Sequence, residues 1–297
     1  MSSNDIRKWV MRGYIVLFFT YLFGPLIIMS ASAFNTSSYP TITPWEGFTV
    51  HWFADLADND KIITGLVNSL WVGAGVVALS VPIGLAGAIM LMQVPDRMRP
   101  LYYTIVVSPV LVPGVILGIS TVIFWDRFGE LVGFDYETTN DPFFLTIVGQ
   151  STFISAYCML VFIARLQRFD RTQEEAALDL GATHTQVFWK VLIPFLKPAI
   201  LSSVVLAFLT SFENYNTTIF TMVSKGTLVT ELAGLARFGV NPEISALAVV
   251  IIGITLTGAV IYEIKTRREE AEAERAKAEA KMMKVKVELD DAASATA

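Results

Sequence analysis

A polar, charge-bearing passage, Glu175–Pro194, interrupts the apolar runs that make up most of this chain. Just ahead of it, Thr172 and Glu175 have the spacing of a capping box, with Thr172 as the N-cap of a helix. Gly181 is placed to end that helix in a left-handed conformation. A helix of about two turns is marginal in water, so this one must be held by packing against another surface.

The side chains of this short helix could form a contact surface. Ala176 and Ala177 are small enough for another surface to approach closely, and Glu174, Glu175 and Asp179 offer acidic contacts. An ordinary amphipathic loop between two membrane spans would explain the same residues equally well.

A second helix is expected after the glycine turn. Thr183 and Gln186 form another capping box, and this helix is predicted to stop near Pro194. The whole passage therefore predicts a helix, a glycine turn and a helix.

Composition defines the setting of this passage. The chain has 297 residues, of which 54% are hydrophobic and 16% charged, with a mean hydropathy of +0.55. Soluble domains carry about 25% charged residues, so a polytopic helical membrane protein is indicated. The one cysteine, Cys158, excludes a disulfide within the chain. His51 and His184 have no partners at ligand spacing, so no metal site is expected.

Six stretches are long and apolar enough to cross a membrane, which takes about 20 residues each. The fold class predicted is an all-α membrane protein with six transmembrane helices in a permease domain of residues 1–264. The spans are placed at about 13–34, 64–92, 101–125, 142–164, 197–222 and 243–262. The loop 165–196 holds the polar passage, and a charged helical tail with a disordered end is predicted over 265–297.

The distribution of Lys and Arg predicts the orientation. Basic residues concentrate before the first span, between the second and third, between the fourth and fifth, and after the sixth. Cytoplasmic segments carry such an excess. Both termini and the loop 165–196 are therefore expected in the cytoplasm.

The first span has a competing interpretation. A basic start, an apolar run and Ala31-Ser32-Ala33 also fit a secretory signal peptide with its cleavage site. The apolar run is longer than is usual for such a peptide, which favours a retained span.

One carboxylate, Glu213, falls inside a predicted span. A charge at such depth is costly unless it is paired or hydrated, so a role in a pathway or with a partner is the first hypothesis. Glu213 would contact a cationic solute, or it would pair with a second membrane subunit or cap a distorted helix. A third alternative is a shifted span boundary that leaves Glu213 at the surface. Neighbouring positions share a predicted helical face or a polar line beside it, and the candidate path is Thr210, Glu213, Asn214, Asn216, Thr217 and Phe220.

The polar passage resembles a known motif. Glu175-Ala176-Ala177, three residues, Gly181, nine residues and Val191-Leu192-Ile193-Pro194 match the EAA motif of ABC importer permeases, with Val and Ile replacing Ile and Leu. The resemblance extends to about residue 264, and the last third is most similar to the spermidine/putrescine permeases. Segments that carry the latter are Ser211-Phe212-Glu213 and the stretch 239–248.

This resemblance implies a type I ABC importer permease fold in the bacterial inner membrane. Residues 174–177, Asp179 and Gly181 would then form a coupling helix that docks on an ATPase. The implied partners are a second permease subunit, expected to be a paralogue, two ATPase subunits, an external solute-binding protein and membrane lipid; no nucleic acid is expected. The chain has no phosphate-binding loop, so it is not expected to be an enzyme, and ATP and Mg would bind to the ATPase.

Two other functions fit less well. A self-sufficient secondary transporter of a small cation usually shows paired repeats and buried coupling-ion ligands. An intramembrane enzyme would need a nucleophile and base, or a metal cluster, at membrane depth.

Overall fold

The computed structural model describes residues 3–239, 241–258, 260–261, 263–264 and 267. Within these residues the chain is helical, with an isolated antiparallel bridge between Asn35 and Phe48. The all-α class is confirmed. Apart from Arg267, the predicted tail 265–297 lies outside the described residues. The chain divides into two compact units, one of Met1–Leu56 with Val240–Ala297 and the other of Ala57–Gly239.

Thirteen α-helices are numbered here along the described part of the chain. They are α1 Ser3–Ser32, α2 His51–Asp58, α3 Asp60–Gln93, α4 Arg99–Leu111, α5 Gly114–Val132, α6 Tyr136–Thr139, α7 Pro142–Leu166, α8 Thr172–Asp179, α9 His184–Val187, α10 Ile193–Phe212, α11 Thr218–Thr221, α12 Leu228–Phe238 and α13 Pro242–Gly258. A π-helical turn, Phe188–Leu192, joins α9 to α10.

Four helical stretches of the described residues are long and apolar enough to cross a membrane: Arg7–Ser32, Asp60–Gln93, Pro142–Leu166 and His184–Phe212. The pair α4 and α5 passes the same test together and is bent by 100°, and α13 is a shorter apolar helix. Each of the six predicted spans overlaps one of these segments, although the number of crossings stays a prediction.

The first unit contains α1 and α13, with an ordered segment after α1. The hydroxyl of Ser32, at the end of α1, lies 3.0 Å from that of Ser245 in α13. The buried amide of Asn35 donates to the carbonyl oxygens of Thr41 and Pro44, and Trp52 Nε1 donates to the Asn35 carbonyl at 2.8 Å. The residues that resemble a cleavage site are thus packed within a folded segment.

The core of the second unit lies where α3, α7 and α10 meet. At Gly84 of α3, a Cβ atom would lie 2.5 Å from Cys158 Cβ and 2.8 Å from the Ser155 carbonyl oxygen, so only glycine allows this approach to α7. Cys158 is fully buried, as expected for a small apolar side chain. The loop 165–196 and the break after Phe212 are both attached to helices of this three-helix core.

The third predicted span is broken in the middle. Val112 between α4 and α5 is extended, with φ −84° and ψ 129°, and Pro113 is the N-cap of α5. Proline disfavours helical conformation in the residue before it and donates no N–H. Pro113 thus breaks this span.

The fifth span differs from the prediction at both ends. The helix does not stop near Pro194; it runs from His184 to Phe212. The π-helical turn lies directly before Pro194, where the wider winding accommodates a residue without an N–H. At the other end the helix stops at Phe212 rather than near residue 222.

Candidate functional site: an exposed loop helix and a helix break

The loop helix α8 begins with a cap that differs from the prediction. Thr172 is the first helical residue, and the N-cap, Arg171, makes no side-chain cap bond. The carboxylate of Asp170 accepts from both the hydroxyl and the backbone N–H of Thr172. The predicted capping box with Glu175 is therefore wrong, because Asp170 already satisfies the Thr172 donors. The same two bonds, the hydroxyl's first, lower the pKa of Asp170.

The turn after α8 has the geometry predicted for it. Gly181 has a φ of +86°, in the left-handed region. Its N–H donates to the Leu178 carbonyl, and the Ala182 N–H donates to the Ala177 carbonyl. This pair of bonds is a Schellman motif, which satisfies carbonyls at the end of a helix.

The second predicted capping box is also present. The Thr183 hydroxyl accepts from the Gln186 N–H at 3.3 Å, and the Gln186 side chain accepts from the Thr183 N–H at 2.9 Å. Because α9 continues through the π-helical turn into α10, a displacement of α9 acts directly on a membrane helix.

Contacts at the membrane ends hold the loop on the helical core. Arg165, at the end of α7, donates from Nε to the Phe195 carbonyl at 3.2 Å, and its guanidinium lies 4.2 Å from the centre of the Phe195 ring. The Phe169 ring packs at 5.0 Å from the same ring. Arg171 also reaches the Met92 carbonyl at 3.5 Å. Both ends of the loop are thereby tied to α3 and α10.

The outer surface of α8 is free in this chain. Glu175, Ala176, Asp179 and Gly181 are exposed, and Leu180 is 90% exposed. The remaining predicted contact residues, Glu174 and Ala177, are half-buried. A two-turn helix with an exposed leucine at its end is the kind of surface that a partner covers.

The second predicted site surrounds a helix break. Glu213 is the C-cap of α10, and the chain is not helical again until Thr218. The predicted helical face through Thr210, Glu213 and Phe220 is therefore wrong. Glu213 itself is exposed, and no hydrogen bond or ion pair reaches its carboxylate from the described residues.

The other predicted path residues divide into exposed and buried ones. Asn216 is exposed, and Thr210, Asn214 and Phe220 are half-buried. Thr217 is fully buried; its N–H donates to Asn214 Oδ1 at 3.1 Å, and its hydroxyl donates to the Gly114 carbonyl at 3.3 Å.

The two helix breaks lie against each other. Gly114 opens α5 directly after Pro113, and a Cβ on it would lie 2.9 Å from Asn216 Cβ. One turn later, a Cβ on Gly118 would lie 2.8 Å from the Thr217 carbonyl oxygen. Non-helical backbone at membrane depth is tolerated where protein or a wet cavity surrounds it. The contact of the two breaks supplies part of that surrounding.

A buried glutamine connects the two sides of the second break. Gln150 of α7 accepts from the Ser211 hydroxyl at 2.6 Å and donates from Nε2 to Thr218 Oγ1 at 2.8 Å. One turn away, the Thr146 and Thr221 hydroxyls are 2.8 Å apart. Leaving a buried polar group of this kind unpaired costs about 1–3 kcal/mol, so this network is a strong constraint.

Sequence reasoning did not identify Gln150, Thr146 or Thr221 as part of the site. The available signal was a glutamine within the apolar run of the fourth span. Such amides hydrogen-bond between membrane helices. The partner of that amide depends on tertiary packing, which no spacing along the chain indicates.

Three comparisons bear on the family. Residues 80–268 match the family model described as the binding-protein-dependent transport system inner membrane component. The putrescine transport system permease protein PotI of Escherichia coli is 31% identical over 261 residues, covering 86% of this chain and 90% of that protein. The spermidine/putrescine transport system permease protein PotC of Haemophilus influenzae is 26% identical, covering 88% and 98%.

A solved structure shares the fold. In a bacterial ABC transporter involved in the import of the acidic polysaccharide alginate, one chain matches with a TM-score of 0.65 and 20% identity, over 87% of this chain and 95% of that one. The matched family model and the permease relatives extend over both the loop and the broken helices. The chain therefore belongs to the family of binding-protein-dependent transport system inner membrane components, the permeases of ABC importers.

Proposed function

We propose that this chain is the permease subunit of a polyamine-type ABC importer and that α8 transmits the work of an ATPase to the membrane helices. The observation that carries the proposal is the exposed α8 surface, whose Glu175-Ala176-Ala177 and Gly181 fit the EAA motif. The Schellman turn and the capping box join α8 stiffly to α9. Because α9 is continuous with α10, movement of α8 is passed to a membrane helix.

The contact with the ATPase would divide between polar and apolar residues. Glu175 would make a polar contact, and Ala176 would allow close approach. Leu180, 90% exposed, would fill an apolar depression in the partner. Glu174 and Ala177 face the body of the permease more than the partner, so they would support α8 rather than bind.

The solute is proposed to be putrescine, spermidine or a related small organic cation. The permease relatives that carry the names of these amines support this class. The exposed Glu213 carboxylate at the break, with Asn216 beside it, would meet the cation as it passes. An unpaired charge at a break in a membrane helix is typical of a pathway.

The proposed assembly has two permeases, two ATPase subunits and an external solute-binding protein. The excess of Lys and Arg supports a cytoplasmic location for the loop 165–196 and both termini, on the side where ATP and Mg would be available to the ATPase. ATP-driven closure of the ATPases would pull on α8 and open the pathway to the outside, where the binding protein releases its solute.

Reconstitution in proteoliposomes tests this proposal. Labelled putrescine should enter only when the ATPase subunits, the second permease, the binding protein and ATP are all present. Glu175→Ala should lower uptake and co-purification of the ATPase about tenfold, the loss expected for one hydrogen bond to a charged group. Glu137→Ala, an exposed acidic residue in the first turn of α6, is the matched control and should change neither. Uptake by the purified chain alone would contradict the proposal and indicate a self-sufficient transporter.

A further inference from the structure

We propose that Gln150 is a positioning residue for the solute path: it holds both ends of the break between α10 and α11 and thereby sets where the Glu213 carboxylate stands. This inference rests on the proposed path role of Glu213. It adds a residue of a different helix, α7, to the residues proposed to determine solute transport.

The geometry of Gln150 is that of a clamp. Its side chain is fully buried, as is Thr218, and Ser211 is 5% exposed. Ser211 lies in the last turn of α10, and Thr218 is the first residue of α11. Gln150 Oε1 lies 2.6 Å from the Ser211 hydroxyl, and Gln150 Nε2 lies 2.8 Å from the Thr218 hydroxyl. One amide therefore bridges the non-helical residues between Ser211 and Thr218, and these three residues form the clamp.

The chemical polarity of the clamp requires an amide. The Thr218 hydroxyl donates its proton to the Asn214 carbonyl, so its oxygen is left to accept from Gln150. The Ser211 hydroxyl is a donor and needs an acceptor. Only a side chain with a donor and an acceptor side by side satisfies both, which asparagine is too short to do and methionine cannot do.

The position of the Glu213 side chain follows its backbone, which is held by the bond from its N–H to the Leu209 carbonyl and, through Ser211, by the bond to Gln150. Glu213 is the second residue after Ser211, and no described residue bonds to its carboxylate. Its location is therefore set by the backbone of the break. The Thr217 contact with Gly114 lies further along the break and involves no atom of Gln150, so we expect a variant at residue 150 to keep the fold.

The test measures putrescine uptake and ATP hydrolysis by the complete reconstituted importer, supplied with saturating putrescine-loaded binding protein. Four forms are compared: unchanged, Gln150→Met, Glu213→Gln and the double variant. Each single change should lower the putrescine moved per ATP hydrolysed about fivefold or more, and the double variant should be no worse than Glu213→Gln, because residues acting through one another are not additive. ATP hydrolysis should stay within about twofold, since the loop helix is untouched.

Two further variants separate positioning from general damage. Thr218→Val removes the acceptor at the far end of the clamp and should reproduce the effect of Gln150→Met. Ser151→Ala is the matched control: Ser151 is the next residue on α7, is 3% exposed, and its hydroxyl has no hydrogen-bond partner among the described residues. It should transport normally.

The outcomes that overturn the inference are distinct from failure of the proposed function. A proportional fall of uptake and ATP hydrolysis in Gln150→Met, or a full additional loss on top of Glu213→Gln, would assign Gln150 a purely structural role. Normal uptake by Glu213→Gln would overturn both the path role of Glu213 and this inference. Absence of ATP-dependent uptake by the unchanged complex would instead refute the proposed solute or function.

Discussion

Single residues decide how α8 begins and ends, and one of them, Gly181, acts through backbone geometry alone. Gly181 supplies a positive φ that ends the helix, and this was readable from its place in the sequence. The N-cap was not, because Asp170 and Thr172 are both capable of capping and lie two residues apart. The local sequence does not show which of the two side chains accepts the hydrogen bonds at the start of α8, since this depends on the path of the chain after α7.

Replacing Gly181 tests whether the turn matters for transport. An alanine at a φ of +86° costs about 1 kcal/mol and favours a different turn. Gly181→Ala should lower ATP-driven uptake about fivefold or more, the usual size of a coupling energy between sites. Gly133→Ala is the matched control, because Gly133 has a φ of +78° and, like Gly181, has no atom within 4 Å of an added Cβ. Equal losses in the two variants would mean that the effect is only conformational strain.

At the scale of elements, the two helix breaks had different origins in the sequence. The break at Val112 follows from Pro113, whose place in the sequence is a local signal. The break after Phe212 has no proline; it depends on hydroxyl and amide contacts with α7, and the apolar pattern therefore predicted a continuous span to residue 222. Tertiary hydrogen bonds overrode local helix propensity there.

The bonds from Thr172 to Asp170 at the start of α8 give a prediction at this scale. Asp170→Ala should raise amide exchange over 172–179 about fivefold, as expected when the first turn of a helix loses a side-chain acceptor. Asp135→Ala provides the control, since Asp135 is the N-cap of α6 but makes no side-chain cap bond, and exchange over 136–139 should not change. Because the bonds from the Thr172 hydroxyl and N–H lower the pKa of Asp170 in the folded chain, the carboxylate's contribution is complete at neutral pH. It is lost only as the pH falls through the folded pKa.

Unchanged exchange in Asp170→Ala would show that packing, and not the bonds to Asp170, holds α8.

At the scale of the whole molecule, the all-helical class and the places of the apolar segments were predictable from composition and run length. The exact helix ends were not, and the number and direction of the crossings stay predictions. The orientation rests on the distribution of Lys and Arg, which acts during membrane insertion and not through particular contacts of the folded chain.

Cysteine labelling tests the orientation in a convenient background, because the one native cysteine, Cys158, is buried. Leu131→Cys and Leu180→Cys place thiols at positions that are 84% and 90% exposed. In cells with a permeabilised outer membrane and an intact inner membrane, a membrane-impermeant maleimide should label position 131 and not position 180. After the cells are lysed, the maleimide should also label position 180. Labelling of position 180 before lysis would contradict the proposed topology.

The contact between α8 and an ATPase subunit is the central claim, and cross-linking from residue 180 tests it most directly. In the assembled importer, a short photoactivatable reagent on Leu180→Cys should join this chain to the ATPase subunit, with a yield that changes when ATP is bound. The same reagent on Leu131→Cys should give no such product. Absence of a permease–ATPase product from position 180, when the reagent is attached and the complex is intact, would contradict the account.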